Sequence, residues 1–206
     1  MQGLERRFLL EKIDFVGALV VMNFGLTSLL PQLFFRKDGR WNKAWWVTVF
    51  PFMISPLGVL GAMFFPAHAV FGAWCRLTSV HRGSAGMVAL ASYGLLMMTL
   101  GTHRIPLALW HQRDAHDAPV HLVTWGPYRF VRHPFYASYL LSFIAAVLYA
   151  PTFLTVSAWL YATIAVSLTA RGEERRLCAS PLGDEYREYM QTTGRFFPRF
   201  SLNVQK

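Results

Sequence analysis

The sequence predicts an all-α fold: a polytopic transmembrane helical bundle of about five spans, ending in a tight helical hairpin. Three observations predict it. First, 54% of the 206 residues are hydrophobic and only 15% are charged, with a mean hydropathy of +0.31; soluble domains carry roughly a quarter charged residues. Second, several apolar runs approach the roughly 20 residues needed to cross ~30 Å of hydrocarbon. Third, the last two runs are joined by little more than a proline.

The first run, 15–35, follows a charged stretch containing Glu5, Arg6, Arg7, Glu11, Lys12 and Asp14. It is too long for a signal-peptide core and no small-x-small cleavage site follows, so it reads as a membrane helix. The second run, 44–65, is interrupted by Pro51 and Pro56, and the third, 85–101, is short and carries glycines. Between them PAHAVFGAWCRLTSV (66–80) either continues the second helix or lies in the interface. The fourth run, 134–150, passes through Pro151 into the fifth, 152–170. No internal repeat or low-complexity segment divides the chain. It reads as one integral membrane domain, with the N-terminal spans in 1–110 and a loop, the hairpin and a tail in 111–206.

Lysine and arginine concentrate in the first loop (Arg36, Lys37, Arg40, Lys43), the third (Arg104, Arg113, Arg129, Arg132) and the tail. With five spans these fall on one side, and the positive-inside rule makes that side cytosolic. The net charge of +9 is scattered between apolar segments, which fits anionic headgroups and excludes nucleic acid as the expected partner. Cys75 and Cys178 form no CxxC pair and read as unpaired thiols.

The hairpin has a geometric consequence. Helices joined by LYAPTFL run antiparallel as neighbours. From Pro134 to the turn is about 16 residues, and from the turn to Arg171 about 20; at ~1.5 Å per residue both return to one membrane face. YRFVRHP (128–134) therefore sits near ARGEERRL (170–177). Pro134 suits a helix's first turn, and a helix start offers free N–H groups and partial positive charge to an anion. Arg132 and His133 add cationic donors, while Glu173 and Glu174 supply carboxylates opposite. A two-signed site of this kind suits a zwitterionic ligand. The same residues also suit a positive-inside anchor with surface ion pairs, each worth only ~0–1 kcal/mol, and Tyr128, Tyr136 and Tyr139 an interfacial aromatic belt.

HLVTWGPYRFVRHPFYASYLL (121–141), a helical hairpin, EERRL (173–177) and GDEYREYMQTTGRFFPRF (183–200) together resemble the isoprenylcysteine carboxyl methyltransferase family. These are integral membrane enzymes using S-adenosylmethionine, with phospholipid methyltransferases as relatives. The resemblance covers about 120–200, through the order LVTxGPY, RHPxY, hairpin, EExxL, GxxY. It implies a cytosolic cofactor pocket in which His121, Leu122, Val123 and Tyr128 contact S-adenosylmethionine. His133, Pro134, Phe135 and Tyr136 would line the pocket, and Glu173 would hold the cofactor from the second helix. Two positions depart from the pattern. Ser138 replaces a family glycine, and Thr169 stands where the family has an arginine concerned with substrate. Arg171 is the nearest replacement, though a two-residue shift turns a helical side chain by about 200°.

The implied reaction is methyl transfer from S-adenosylmethionine to a lipophilic small molecule or prenylated substrate that enters from the membrane lipids, a prenylcysteine-like carboxylate among the candidates. Arg171 and Glu174 are the candidate catalytic residues. A carboxylate or thiolate acceptor needs only orientation, whereas a hydroxyl or amine needs its proton taken, with Glu174 or a histidine available. The pattern WHQRDAHDAPVH (110–121), with His111, Asp114, His116, Asp117 and His121, matches no metal-ligand spacing, and no metal is expected. The alternative functions are an NADPH-dependent sterol or lipid reductase, against which Phe135 and the paired glutamates argue, and a non-enzymatic membrane protein that retains the hairpin.

Overall fold

The apolar runs become helices in a computed structural model of the chain, which describes residues 15–29, 43–64, 79–102 and 121–199. Within them lie α1 (Phe15–Leu29), α2 (Lys43–Phe64), α3 (Ser79–Thr102), a 3₁₀ turn (Gly126–Arg129), α4 (Pro134–Tyr149), α5 (Phe153–Cys178) and α6 (Gly183–Thr192). The all-helical class expected from composition is observed, and the described residues contain no strand. The segment 66–78 and most of the histidine-bearing loop before His121 lie outside the described residues, so the expectations placed there are not addressed.

Two boundaries differ from the sequence expectation. Helix α3 begins at Ser79 rather than near Ala85, taking His81 and Arg82 into its first turns. Helix α5 runs on to Cys178 instead of stopping near Ala170. Its polar end remains helical because Arg175 and Arg176 occupy the last turn, where cations complement the helix dipole. The hairpin turn is as expected. Proline at 151 follows the end of α4, and Thr152 caps α5: its Oγ1 accepts from Thr155 N at 3.2 Å, while Thr155 Oγ1 accepts from Thr152 N at 3.1 Å. This reciprocal box satisfies two donors that a helix start would otherwise leave bare.

Helix α4 sits at the centre and packs against α1, α2, α3 and α5. Small residues let the helices close on it: Ala85 and Ala89 of α3, Ala145 and Ala146 of α4, and Ala158 and Ala162 of α5 are all buried. Phe143 fills the space between them, meeting Phe24 of α1 and Tyr139 edge-on, each with ring centres 5.3 Å apart. Polar bonds fix the register. Asn23 of α1 donates to Ser92 of α3 at 2.9 Å and to Ser142 of α4 at 3.0 Å, and Ser92 donates to the Ser138 carbonyl at 2.7 Å. Each such bond contributes about 0.6 kcal/mol on average within membrane bundles. Ser138 is itself only 1% exposed, so the small residue preserves the close packing expected of the family's glycine.

Helices α3 and α5 are long and apolar enough to cross a membrane, while α1, α4 and residues 54–64 of α2 are shorter apolar segments. Met87, Leu90 and Met98 of α3 and Leu160, Ile164 and Leu168 of α5 point outward. Such a continuous apolar exterior is suited to lipid rather than water.

Candidate functional site: a helix mouth with one open and one buried carboxylate

The approach to α4 is shaped by Gly126. Its φ of 63° belongs to the left-handed region, and a Cβ there would come within 2.7 Å of Thr102 Oγ1 at the end of α3. The 3₁₀ turn that follows closes with Phe130 N and Val131 N on the Pro127 carbonyl, at 3.1 and 3.2 Å. It buries Tyr128, whose carbonyl accepts a hydrogen bond from the Tyr189 hydroxyl of α6. Burial raises the phenols of Tyr128, Tyr186 and Tyr189 above their ordinary value, so all three remain protonated donors.

Beyond the turn the chain runs beside the C-terminal segment 193–199. Arg132 N donates to Gly194 O at 2.8 Å and His133 N to Arg195 O at 3.1 Å, with Val131 and Gly194 forming a parallel bridge. A Cβ on Gly194 would lie 1.8 Å from Phe197 O. Only glycine therefore lets the segment fold back on itself there.

Glu174 lies beneath this strap, 4% exposed. Arg132 reaches its Oε1 through Nε at 3.1 Å and Nη2 at 2.9 Å, and Arg132 Nη1 donates to the carbonyls of Met190, at 3.3 Å, and Thr193. From the other side Arg195 donates Nε to Oε1 at 3.1 Å and Nη2 to Oε2. This pairing raises the Arg195 guanidinium above its ordinary range. His133 Nε2 lies 3.3 Å from Glu174 Oε1, within ion-pair distance, and makes no geometrically regular hydrogen bond among the described residues.

Glu173, one position earlier, has a different environment. Its side chain is 22% exposed; Oε1 accepts from the Tyr136 hydroxyl at 2.6 Å and Oε2 lies 3.6 Å from His133 Nδ1. The imidazole stacks on the Tyr136 ring, with centres 5.5 Å apart and planes 20° from parallel. Adjacent residues on a helix point about 100° apart, which separates an open carboxylate from a closed one. At the start of α4, Ala137 N makes the first ladder bond, to His133 O at 2.9 Å. The N–H groups of Phe135 and Tyr136 precede that ladder.

Beside this polar corner is an apolar cleft of about 320 Å³. Leu95 and Met98 of α3, Phe130, Leu140 and Leu141 of α4, and Phe197 of the strap are among its walls. Met98, Phe130 and Phe197 are also well exposed, so the cleft is continuous with the outward apolar surface.

The structure thus brings 128–136 against 173–174, as the hairpin geometry required. Tyr128, His133, Pro134 and Tyr136 are buried there, Phe135 is half-buried, and Leu122 and Val123 are half-buried on the approach. His121 is exposed. Arg171 is exposed as well and, among the described residues, takes no part in the ion cluster, while Thr169 bonds its own helix, to Ala165 O at 2.9 Å. Arg132, expected to offer a donor to a ligand, is instead engaged by Glu174. Sequence reading gave Arg195 no role; the run GRFFPRF pointed to its segment without revealing its partner.

A family model described as phospholipid methyltransferase matches residues 59–180, from within α2 to just past the end of α5. No curated protein matches the chain.

Proposed function

Because the chain belongs to the phospholipid methyltransferase family, and is on that account a membrane methyltransferase, we propose that it moves a methyl group from S-adenosylmethionine to a lipophilic acceptor. A prenylcysteine-like carboxylate, the substrate of the isoprenylcysteine carboxyl methyltransferases it resembles, is the candidate acceptor. The observation that carries this reading is that His133 joins the two halves: the half-open Glu173 carboxylate lies 3.6 Å from its Nδ1, and Phe196, which lines the apolar cleft, has its ring centre 6.1 Å from the imidazole. One side suits a polar, cationic ligand and the other a hydrocarbon chain.

The donor set fits the cofactor. Glu173 would hold its ammonium or ribose hydroxyls, the stacked His133 and Tyr136 rings would face its sulfonium, and the start of α4 would receive its carboxylate. His121, Leu122, Val123 and Tyr128 would complete the contacts. When bound, S-adenosylmethionine supplies an already activated methyl group. The protein's part is then alignment and exclusion of water, and positioning is worth about 7–11 kcal/mol in favourable cases. Tyr136 fixes the Glu173 rotamer through its 2.6 Å bond. The cleft walls would hold the acceptor's chain out of water, and Arg171, exposed on α5, would be the residue to orient an acceptor carboxylate. In this reading α1 to α5 are five spans of a single membrane domain, with the C-terminal tail and the cofactor site on the cytosolic side.

Calorimetry on detergent-purified protein tests the proposal, with S-adenosylmethionine and NADPH titrated into the wild type and the Glu173→Ala and His133→Ala variants. Binding of S-adenosylmethionine that is lost in both variants is expected. No heat with the sulfonium would overturn the reading, and heat with NADPH in its place would make the protein a lipid reductase.

A further inference from the structure

The strap 193–199 touches both halves of the site, held by backbone bonds at Gly194 and Arg195, by Arg199 Nη1 on the Gln191 carbonyl at 2.6 Å, and by the ion pair of Arg195 with Glu174. Phe196 is half-buried in the main core cluster, its ring centre 6.1 Å from that of His133, and it also lines the apolar cleft. Phe197 and Pro198 form the outer part of that wall. The backbone of the strap is fixed at Gly194 and Arg195 by the bonds from Arg132 N and His133 N. Past Arg195, the side-chain link from this segment back to α5 is the pair of bonds from its guanidinium to Glu174. A bidentate guanidinium–carboxylate contact sets direction as well as distance. Together with the backbone bonds it sets the direction in which the chain leaves Arg195, and with it where Phe196 and Phe197 stand.

From this geometry we propose that Arg195 is a positioning residue for the acceptor. By gripping Glu174 it seats Phe196 and Phe197 as one wall of the cleft, with Phe196 against the imidazole of the donor side. The inference rests on the methyl-transfer reading only for the cleft's occupant, a single hydrocarbon chain from the surrounding lipid. The continuity of the cleft with exposed Met98, Phe130 and Phe197 supports that occupant. Glu174 then serves as the buried anchor of the strap, and Arg132 holds the same anchor from the α4 side.

The test is photolabelling of the full-length protein in detergent with a ten-carbon alkyl diazirine, with the modified positions mapped by mass spectrometry. In the wild type, label is expected both on the strap, at Phe196 or Phe197, and on the α4 wall, at Leu140 or Leu141. In Arg195→Gln the strap-to-α4 ratio should fall about fivefold or more, because a neutral amide cannot replace the charge-assisted fork. In Arg195→Lys, which retains the charge without the fork, the ratio should fall about twofold. The ratio is internal to each sample, so a general loss of fold lowers both signals and leaves it unchanged. Phe196→Leu, with the ion pair intact, should keep strap labelling and serves as the reading should Arg195→Gln fail to fold. An unchanged ratio in an arginine variant whose α4-wall label equals that of the wild type, loss of strap label in Phe196→Leu, or no cleft label in the wild type would each overturn the proposal. Calorimetry with S-adenosylmethionine on the same samples is read separately. Failure of the wild type to bind it would sink the methyl-transfer reading and leave the strap result standing.

Discussion

Glutamine at position 174 keeps the shape of the side chain and removes its charge, leaving two guanidiniums facing a neutral amide. The Arg132 side chain is 9% exposed and that of Arg195 is 29% exposed. Removing one partner of a buried ion pair costs about 3–5 kcal/mol. Here water can reach Arg195, and Arg132 keeps its bonds to the Met190 and Thr193 carbonyls, which puts Glu174→Gln at the lower end, about 3 kcal/mol. For a chain of this length each kcal/mol moves the melting temperature by about 2–4 °C, so a fall of about 6–12 °C is expected. Thermal unfolding in detergent, followed by tryptophan fluorescence, measures it. Glu173→Gln is the control: at 22% exposure with one hydrogen bond from Tyr136, it should lose about 1 kcal/mol or less. A proton-accepting role for Glu174 predicts the reverse pattern, with melting unchanged and turnover reduced by about 10²–10⁴. That result would refute the anchor argument.

Tyr136→Phe removes the 2.6 Å bond to Glu173 and should weaken S-adenosylmethionine binding by about ten- to a hundredfold, since a hydrogen bond to a charged group is worth about 1.5–3 kcal/mol; an isotherm matching wild type would contradict it. Gly194→Ala must displace the Phe197 carbonyl, whereas a Cβ on Gly172 of α5 meets nothing within 4 Å. The first should lower the melting temperature and the second raise it, by about 1 kcal/mol of helix propensity, which one thermal scan of both variants decides. Alkali should destabilise the fold. The phenols of Tyr128, Tyr186 and Tyr189 sit above their ordinary 10.0 in the folded protein, so as pH rises past that value the unfolded chain releases protons that the folded one retains. Melting temperature measured against pH should show no fall from these groups up to about pH 9 and then decline; a tyrosine contribution that rises above pH 10 would reverse the sign.

The helices were legible because the requirement is local: about 20 apolar residues cross a bilayer wherever they occur. The corner between 128–136 and 173–174 was legible for a related reason. Two consecutive helices joined at Pro151 run antiparallel, so the start of the first and the far part of the second return to the same face. The extent of α5 was less legible, since GEERRL carries no apolar periodicity and is held helical by its position at a cation-stabilised end.

The sequence by itself determined the class of the fold, the hairpin, and the set of charged and aromatic residues at its mouth. Only the tertiary structure decided how those residues divide. Glu173 and Glu174 are adjacent and chemically identical; helix rotation and the crossing of α4 turn one toward Tyr136 and the other beneath two arginines. Arg195 lies 21 residues beyond Glu174, and it reaches its partner only because Val131 and Gly194 pair along their backbones. Such pairing depends on the closure of a long loop rather than on any pattern within it. Whether a carboxylate binds a ligand or holds the protein together is a matter of neighbours and burial, and those come from the packed chain.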